Sequence, residues 1–165
     1  MRKVNHLQDK WRNVVFSLTG LLIVVADQLS KVWIRTNLVE GQSLFEVGFF
    51  RITYVQNTGA AFGLLQGQSF ALTIVAIIGI VVLLVYALFV YRYFSWLDNM
   101  LTKFGLGLML GGTLGNLIDR LRFGYVTDFI DFGYWPAFNV ADSAITVGVI
   151  IFACSLLRLT QAEKH

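Results

Sequence analysis

The stretch Phe138-Asn139-Val140-Ala141-Asp142-Ser143-Ala144-Ile145-Thr146-Val147-Gly148-Val149-Ile150-Ile151-Phe152-Ala153-Cys154-Ser155-Leu156-Leu157 decides the fold class. It is apolar almost throughout and matches the roughly 20 residues that cross a bilayer as a helix. One carboxylate, Asp142, stands near its start. A charge in hydrocarbon costs roughly 2.5 to 3.5 kcal/mol on insertion scales, so such residues are usually kept for function. Asp128 lies just upstream, in the short polar stretch that leads into the run. Two carboxylates beside a membrane surface point to acid–base chemistry in which one proton is shared.

The composition agrees with a membrane class. Of 165 residues, 56% are hydrophobic, and the mean hydropathy is +0.67. That is too apolar for a soluble domain of this size. One proline and no Ser/Gly-rich linker argue for a single domain over 1–165. The single cysteine, Cys154, excludes an intramolecular disulfide and a cysteine metal cage. His6 and His165 sit in the tails, so no metal and no cofactor is expected. The net charge of +3 is spread over membrane flanks and forms no basic face for nucleic acid.

Three further runs have spanning length, giving four predicted helices at about 14–34, 70–90, 101–118 and 138–157. The third carries Gly107, Gly111 and Gly115 at four-residue spacing with Gly112 beside them, a stripe that predicts close helix packing. Eight basic residues (Arg2, Lys3, Lys10, Arg12, Arg92, Lys103, Arg158 and Lys164) fall on one side of the predicted spans. Five (Lys31, Arg35, Arg51, Arg120 and Arg122) fall elsewhere. This bias predicts cytoplasmic termini and outward-facing acidic loops. Trp11, Tyr91, Tyr93 and Trp96 suit the inner interfacial belt, and Trp33, Tyr134 and Trp135 the outer one. The basic head and apolar core near the N-terminus continue past Asp27 without a small-x-small cleavage site, so a retained first helix is expected.

The loop 35–69 has strand character. Phe50, Ile52 and Tyr54 alternate with Arg51, Thr53 and Val55 within 44–55, and Asn57-Thr58-Gly59 then turns the chain. Residues 125–132 alternate similarly, with Asp128 and Ile130 on one side and Thr127 and Phe129 on the other. We expect an all-α membrane protein with a small antiparallel β-sheet on its outer face.

Several polar groups need partners. Asp27 and Lys31 are one helical turn apart in the favourable acid-first order, so an ion pair is expected, with snorkelling of Lys31 as the alternative. Asn116, Asp119 and Arg120 end the third helix. Arg120 is placed either to pair with Asp119 or to offer its donor fork to a carbonyl or headgroup. An isolated Asn57 reads first as a turn residue. Asp142 is one member of an acidic pair, and its partner is Asp119, Asp128 or Asp131. The basic neighbour of Asp119 and the opposite alternation of Asp131 favour Asp128, but spacing alone leaves the choice open. Asn139 lies on the helix face of Asp142, where an amide orients a carboxylate or a substrate carbonyl.

These residues carry a resemblance. Asp27-Gln28-x-Ser30-Lys31, Asn57-x-Gly59-x-Ala61-Phe62-Gly63, Gly111-Gly112-x-x-Gly115-Asn116-x-x-Asp119-Arg120, Val126-x-Asp128-Phe129-Ile130-Asp131 and Phe138-Asn139-x-Ala141-Asp142 occur in this order. Together they resemble the signature blocks of bacterial lipoprotein signal peptidases, the signal peptidase II family, from about residue 24 to 150. Any one block is weak, whereas five in order on four predicted spans are specific.

The resemblance implies an aspartic endopeptidase of the bacterial inner membrane that removes signal peptides from diacylated prolipoproteins, cutting just before the lipidated cysteine. It implies Asp128 and Asp142 as the catalytic pair. Asn57, Asn116, Arg120 and Asn139 would line the substrate site, and Asp27, Lys31 and Asp119 would support it. The expected partners are the prolipoprotein and membrane lipids, with the chain acting as a monomer. A proton-coupled transporter using Asp27, Asp119 and Asp142 is the rival, and the absence of an inverted repeat counts against it.

Overall fold

A computed structural model describes residues 6–59, 65–90 and 99–162, with side chains described for 10–59, 65–89 and 99–157. The motif residues Ala61 to Gly63, the belt residues Tyr91, Tyr93 and Trp96, and Arg92 lie outside the described residues. Helix α1 runs His6–Asn37, followed by the hairpin β1 (Ser43–Val47) and β2 (Phe50–Asn57). Helix α2 (Ser69–Val85) ends in a π-helical turn, Tyr86–Val90. Helix α3 (Met100–Phe123), strand β3 (Val126–Asp131) and helix α4 (Val140–Ala162) follow.

Among the described residues, three helical segments have the length and apolarity to cross a membrane: Lys10–Asn37, Ser69–Phe89 and Val140–Leu157. Helix α3, which holds the third predicted span, is not among them. It is long enough at 24 residues, about 36 Å at the helical rise. Its apolarity is diluted by five glycines and by Lys103, Asp119, Arg120 and Arg122. The reason is its position at the centre of the bundle. It packs on α1, α2 and α4 and buries thirteen of its residues, whereas α2 buries none. A helix that faces protein has no need of an all-round apolar surface.

The glycine stripe permits this packing. A Cβ at Gly107 would stand 2.8 Å from Phe16 O, and one at Gly111 would stand 2.6 Å from Gly20 O, both in α1. Gly112 faces the other way and lies against Ala141 O of α4. So α3 presents two close-contact faces, which the spacing alone does not reveal. Its ends are capped locally. The Asn99 side chain accepts from Thr102 N, and Gly124, at φ 78°, returns its N–H to Arg120 O.

The sheet is antiparallel in the order β1-β2-β3. The single strand-like stretch 44–55 divides into two strands because Gly48, at φ 60°, reverses the chain between Val47 and Phe50. Tyr54 and Phe129 pack with Ile34 and Leu38 at the end of α1. That contact fixes the sheet on the end of the bundle where α1 and α3 finish and α4 begins.

Lys103 departs from its expected place. The sequence places it on a basic membrane flank, but it sits in the first turn of α3 and is buried. It donates to Ala87 O at 2.8 Å and Asn13 Oδ1 at 3.2 Å. Its charge therefore belongs to the interior and leaves the tally that sets orientation.

Candidate active site

Helix α4 begins with a reciprocal cap. Asp142 N donates to Asn139 Oδ1 at 2.9 Å, and Asn139 N donates to Asp142 Oδ2 at 3.3 Å. This is the geometry of a capping box, with aspartate in the acidic position. A carboxylate at a helix N-terminus is also favoured by the helix dipole. The cap explains why the helix starts at Val140, two residues into the apolar run, and it aims Asp142 at the end of the bundle.

Asp128 comes from the other direction. It lies mid-strand in β3, opposite Val55 of β2. Its Oδ2 accepts from Asn57 Nδ2 at 2.8 Å, and its Oδ1 from Asn139 Nδ2 at 2.7 Å. Asn57 is also the expected turn residue, since its Oδ1 accepts from Gly59 N at 2.9 Å. Asn139 thus caps the helix that bears one aspartate while donating to the other. Both carboxylates line one cavity of about 590 Å³, together with Asn57, Asn116 and Arg120.

The other two candidate partners of Asp142 are drawn elsewhere. Asp131 ion-pairs with Arg51 at 2.7 Å in the sheet. Asp119 is fully buried behind the cavity. It meets Arg35 at 3.2 Å and Lys31 at 3.5 Å, and it accepts from Thr127 N at 2.9 Å. The suggested pairing of Asp119 with Arg120 is not formed. Sequence neighbours on a helix point about 100° apart, so Arg120 shares the face of Asn116 instead. Arg120 donates to Gly59 O at 3.3 Å, and its Nε is buried without a hydrogen-bond partner.

Lys31 does not snorkel. It is fully buried and lies 2.9 Å from Asp27, the expected ion pair. Arg35 and Thr127 were not singled out in the sequence, yet Arg35 donates to both Asp119 and Thr127. The signal was present, because Asp27, Lys31 and Arg35 repeat every four residues along one face of α1.

Burial first, and then the charge of Asp142, push the Asp128 carboxyl up to about 7. The amides of Asn57 and Asn139 and the Lys31 cation act in the opposite sense. Up to about pH 7 this site therefore favours a proton on Asp128, so that the two neighbouring carboxyls avoid both carrying charge. One group is then able to donate a proton and the other to accept one. Apolar walls at Val126, Trp135, Phe138 and Ile145 surround the pair on the cavity side.

The chain as a whole is similar to known proteins. The family described as signal peptidase (SPase) II matches residues 19–158. The lipoprotein signal peptidase of Moorella thermoacetica is 50% identical over 86% of this chain and 92% of its own length. That of Dehalococcoides mccartyi is 48% identical over 93% of each chain. A bacterial membrane enzyme solved by the in meso method at 2.3 Å is 37% identical and covers 87% of each chain, with a TM-score of 0.77.

Proposed function

Since this chain belongs to the signal peptidase II family, we propose that it is an aspartic endopeptidase cutting diacylglyceryl-modified prolipoproteins immediately before the lipidated cysteine. The observation that carries this reading is the meeting of Asp128 and Asp142 on one cavity, bridged by Asn139. In the reaction, Asp142 takes a proton from water as the water oxygen attacks the scissile carbonyl. Asp128 gives its proton to the carbonyl oxygen. The C–N bond then breaks as one hydroxyl of the diol returns its proton to Asp128 and the C=O bond re-forms, and the amine leaves with the proton that Asp142 gained. Asn57, Asn116 and Asn139 hold the carboxyls in place, and Arg120 offers its fork to the substrate backbone or headgroup.

In this reading α3 is a fourth span, shielded from lipid by its neighbours. The spans are about 14–34, 70–90, 101–118 and 138–157, the termini are cytoplasmic, and the cavity opens at the outer face of the inner membrane. A lipidated precursor then reaches the site with its acyl chains still in the bilayer. The chain acts alone, without cofactor or nucleic acid.

The test uses purified protein in detergent with a diacylglyceryl-modified precursor. Mass spectrometry should find a product beginning at the modified cysteine. An intact precursor, or a cut elsewhere, would overturn the proposal.

Two predictions arise here. Asp128 holds its proton below about pH 7 and loses it above, so kcat/KM should fall as pH rises through 7. An ordinary aspartate ionises near 3.8, so the folded state keeps this proton across the window from 3.8 to about 7. The fold therefore loses stability as pH rises through that window, and Asp128→Asn should flatten the loss. Thermal unfolding at several pH values, beside turnover, reads both effects.

The second prediction concerns Arg120. Arg120→Ala should raise KM by roughly 10- to 150-fold, because a charged donor contributes roughly 1.5 to 3 kcal/mol. Arg120→Lys should recover only part of this. Unchanged cleavage by Arg120→Ala would remove the residue from the substrate site.

A further inference from the structure

Behind the two aspartates lies a charged layer that does not line the cavity. Lys31 Nζ is 2.9 Å from Asp27 Oδ2 and 3.5 Å from Asp119 Oδ2, and Arg35 Nη1 is 3.2 Å from Asp119 Oδ1. Two cations and two anions make the layer neutral. A buried ion pair retained for the fold alone needs only its own members to be satisfied. This one also bonds Thr127 of β3, and two of its further connections run to Asp142.

The first is through the backbone. Asp27 Oδ1 accepts from Ala141 N at 3.0 Å. That N–H is one of the donors left unpaired in the first turn of α4, next to the residue that carries the carboxyl. The second is through an amide. Lys31 Nζ donates to Asn116 Oδ1 at 2.8 Å, and Asn139 Nδ2 donates to the same oxygen at 3.2 Å. An ammonium has donors only, so the Asn116 amide must turn its oxygen toward Lys31. Its NH₂ is then directed at Asp142 Oδ1, 2.8 Å away.

We propose that Lys31 and Asp27 are positioning residues for the cleavage. Lys31 locks the Asn116 amide as a donor to Asp142, and Asp27 anchors the helix start that bears it. This rests on the two-aspartate reading above and assigns the ion pair a role in turnover beyond support of the fold. The charged groups facing the dyad are Arg120 from α3 and Lys31 from α1, with Arg35 and Asp119 behind them. The sheet contributes only the neutral Asn57 at this point.

The test compares Lys31→Met with the double variant Asp27→Asn/Lys31→Met. Lys31→Met frees the amide and leaves an uncompensated carboxylate beside the dyad. Its kcat should fall on the order of 100-fold with KM nearly unchanged, and the low-pH limb of the rate profile should move up by about one unit. The double variant restores neutrality. Its low-pH limb should return, while kcat stays low because nothing fixes the amide.

Per folded molecule, a wild-type kcat and pH profile in Lys31→Met, with only the unfolding temperature lowered, would overturn the proposal. If the single variant does not fold, the double variant decides, because it leaves no orphaned charge. A wild-type kcat there, or failure of both variants to fold, also overturns it. Asp128→Asn and Asp142→Asn are assayed in parallel. Near-normal turnover in those would sink the dyad reading itself. With those two inactive, unchanged turnover in the Lys31 variants would sink only the positioning role.

Discussion

Asp142→Asn is expected to lower cleavage by about 10³- to 10⁴-fold while leaving the protein folded. The substitution keeps the shape of the side chain and removes the titrating oxygen. Asp142 accepts from Asn116 Nδ2 and from Asn139 N, and an amide retains one acceptor for these two donors. The structural loss is about one hydrogen bond, roughly 1 kcal/mol. Asp128→Asn should behave alike, since Asp128 also accepts two amide donors. The double variant should be little worse than either single one, because acid and base act as one unit. Cleavage and thermal unfolding are measured on the same preparations. Turnover within tenfold of wild type in either single variant would remove that residue from the chemistry.

The second large effect is expected at Gly112, which has no side chain and does not line the cavity. A Cβ there meets Ala141 O and Ile145 of α4. Backbone cannot yield as a flexible side chain can, so Gly112→Ala must push α4 away from α3. Overpacking of this kind costs about 1 to 3 kcal/mol. The displaced segment includes Asp142, and misplacement by about 1 Å is enough to reduce turnover on the order of 100-fold. Gly79→Ala in α2 is the control. Nothing lies within 4 Å of a Cβ at that position, so neither activity nor unfolding temperature should fall. Equal behaviour of the two variants would show that the α3–α4 contact does not set the position of Asp142.

Much of the molecule is legible in residue order, and the reason is local. Membrane helices declare themselves by length and apolarity, because a span must satisfy its own backbone hydrogen bonds wherever it lies. The α1, α2 and α4 segments obey that rule residue by residue. The turn at Asn57 to Gly59 follows from equally short-range chemistry, whereas the break at Gly48 and the cap of Asn139 with Asp142 emerge only in the structure. The Asp27–Lys31 pair is one helical turn long and needs nothing beyond α1 to be predicted.

Long-range choices are different. The sequence holds four acidic candidates for a pair, and their spacing does not rank them. Tertiary packing separates them: Arg51 takes Asp131, Lys31 and Arg35 take Asp119, and β3 brings Asp128 to the cavity at the head of α4. Each assignment depends on which element lies beside which, and no local rule contains that. Lys103 makes the same point in reverse. By position it reads as a loop cation, yet its ammonium is buried on the Ala87 carbonyl where α2 ends in a π-turn. Helix α3 is too polar and glycine-rich to resemble its neighbours, and only the bundle shows that those residues face protein. The sequence by itself therefore determined the membrane class, the elements and the chemical groups available. Tertiary structure decided which charges neutralise one another and which two remain for the cavity, because that depends on through-space distance across helices far apart in the chain.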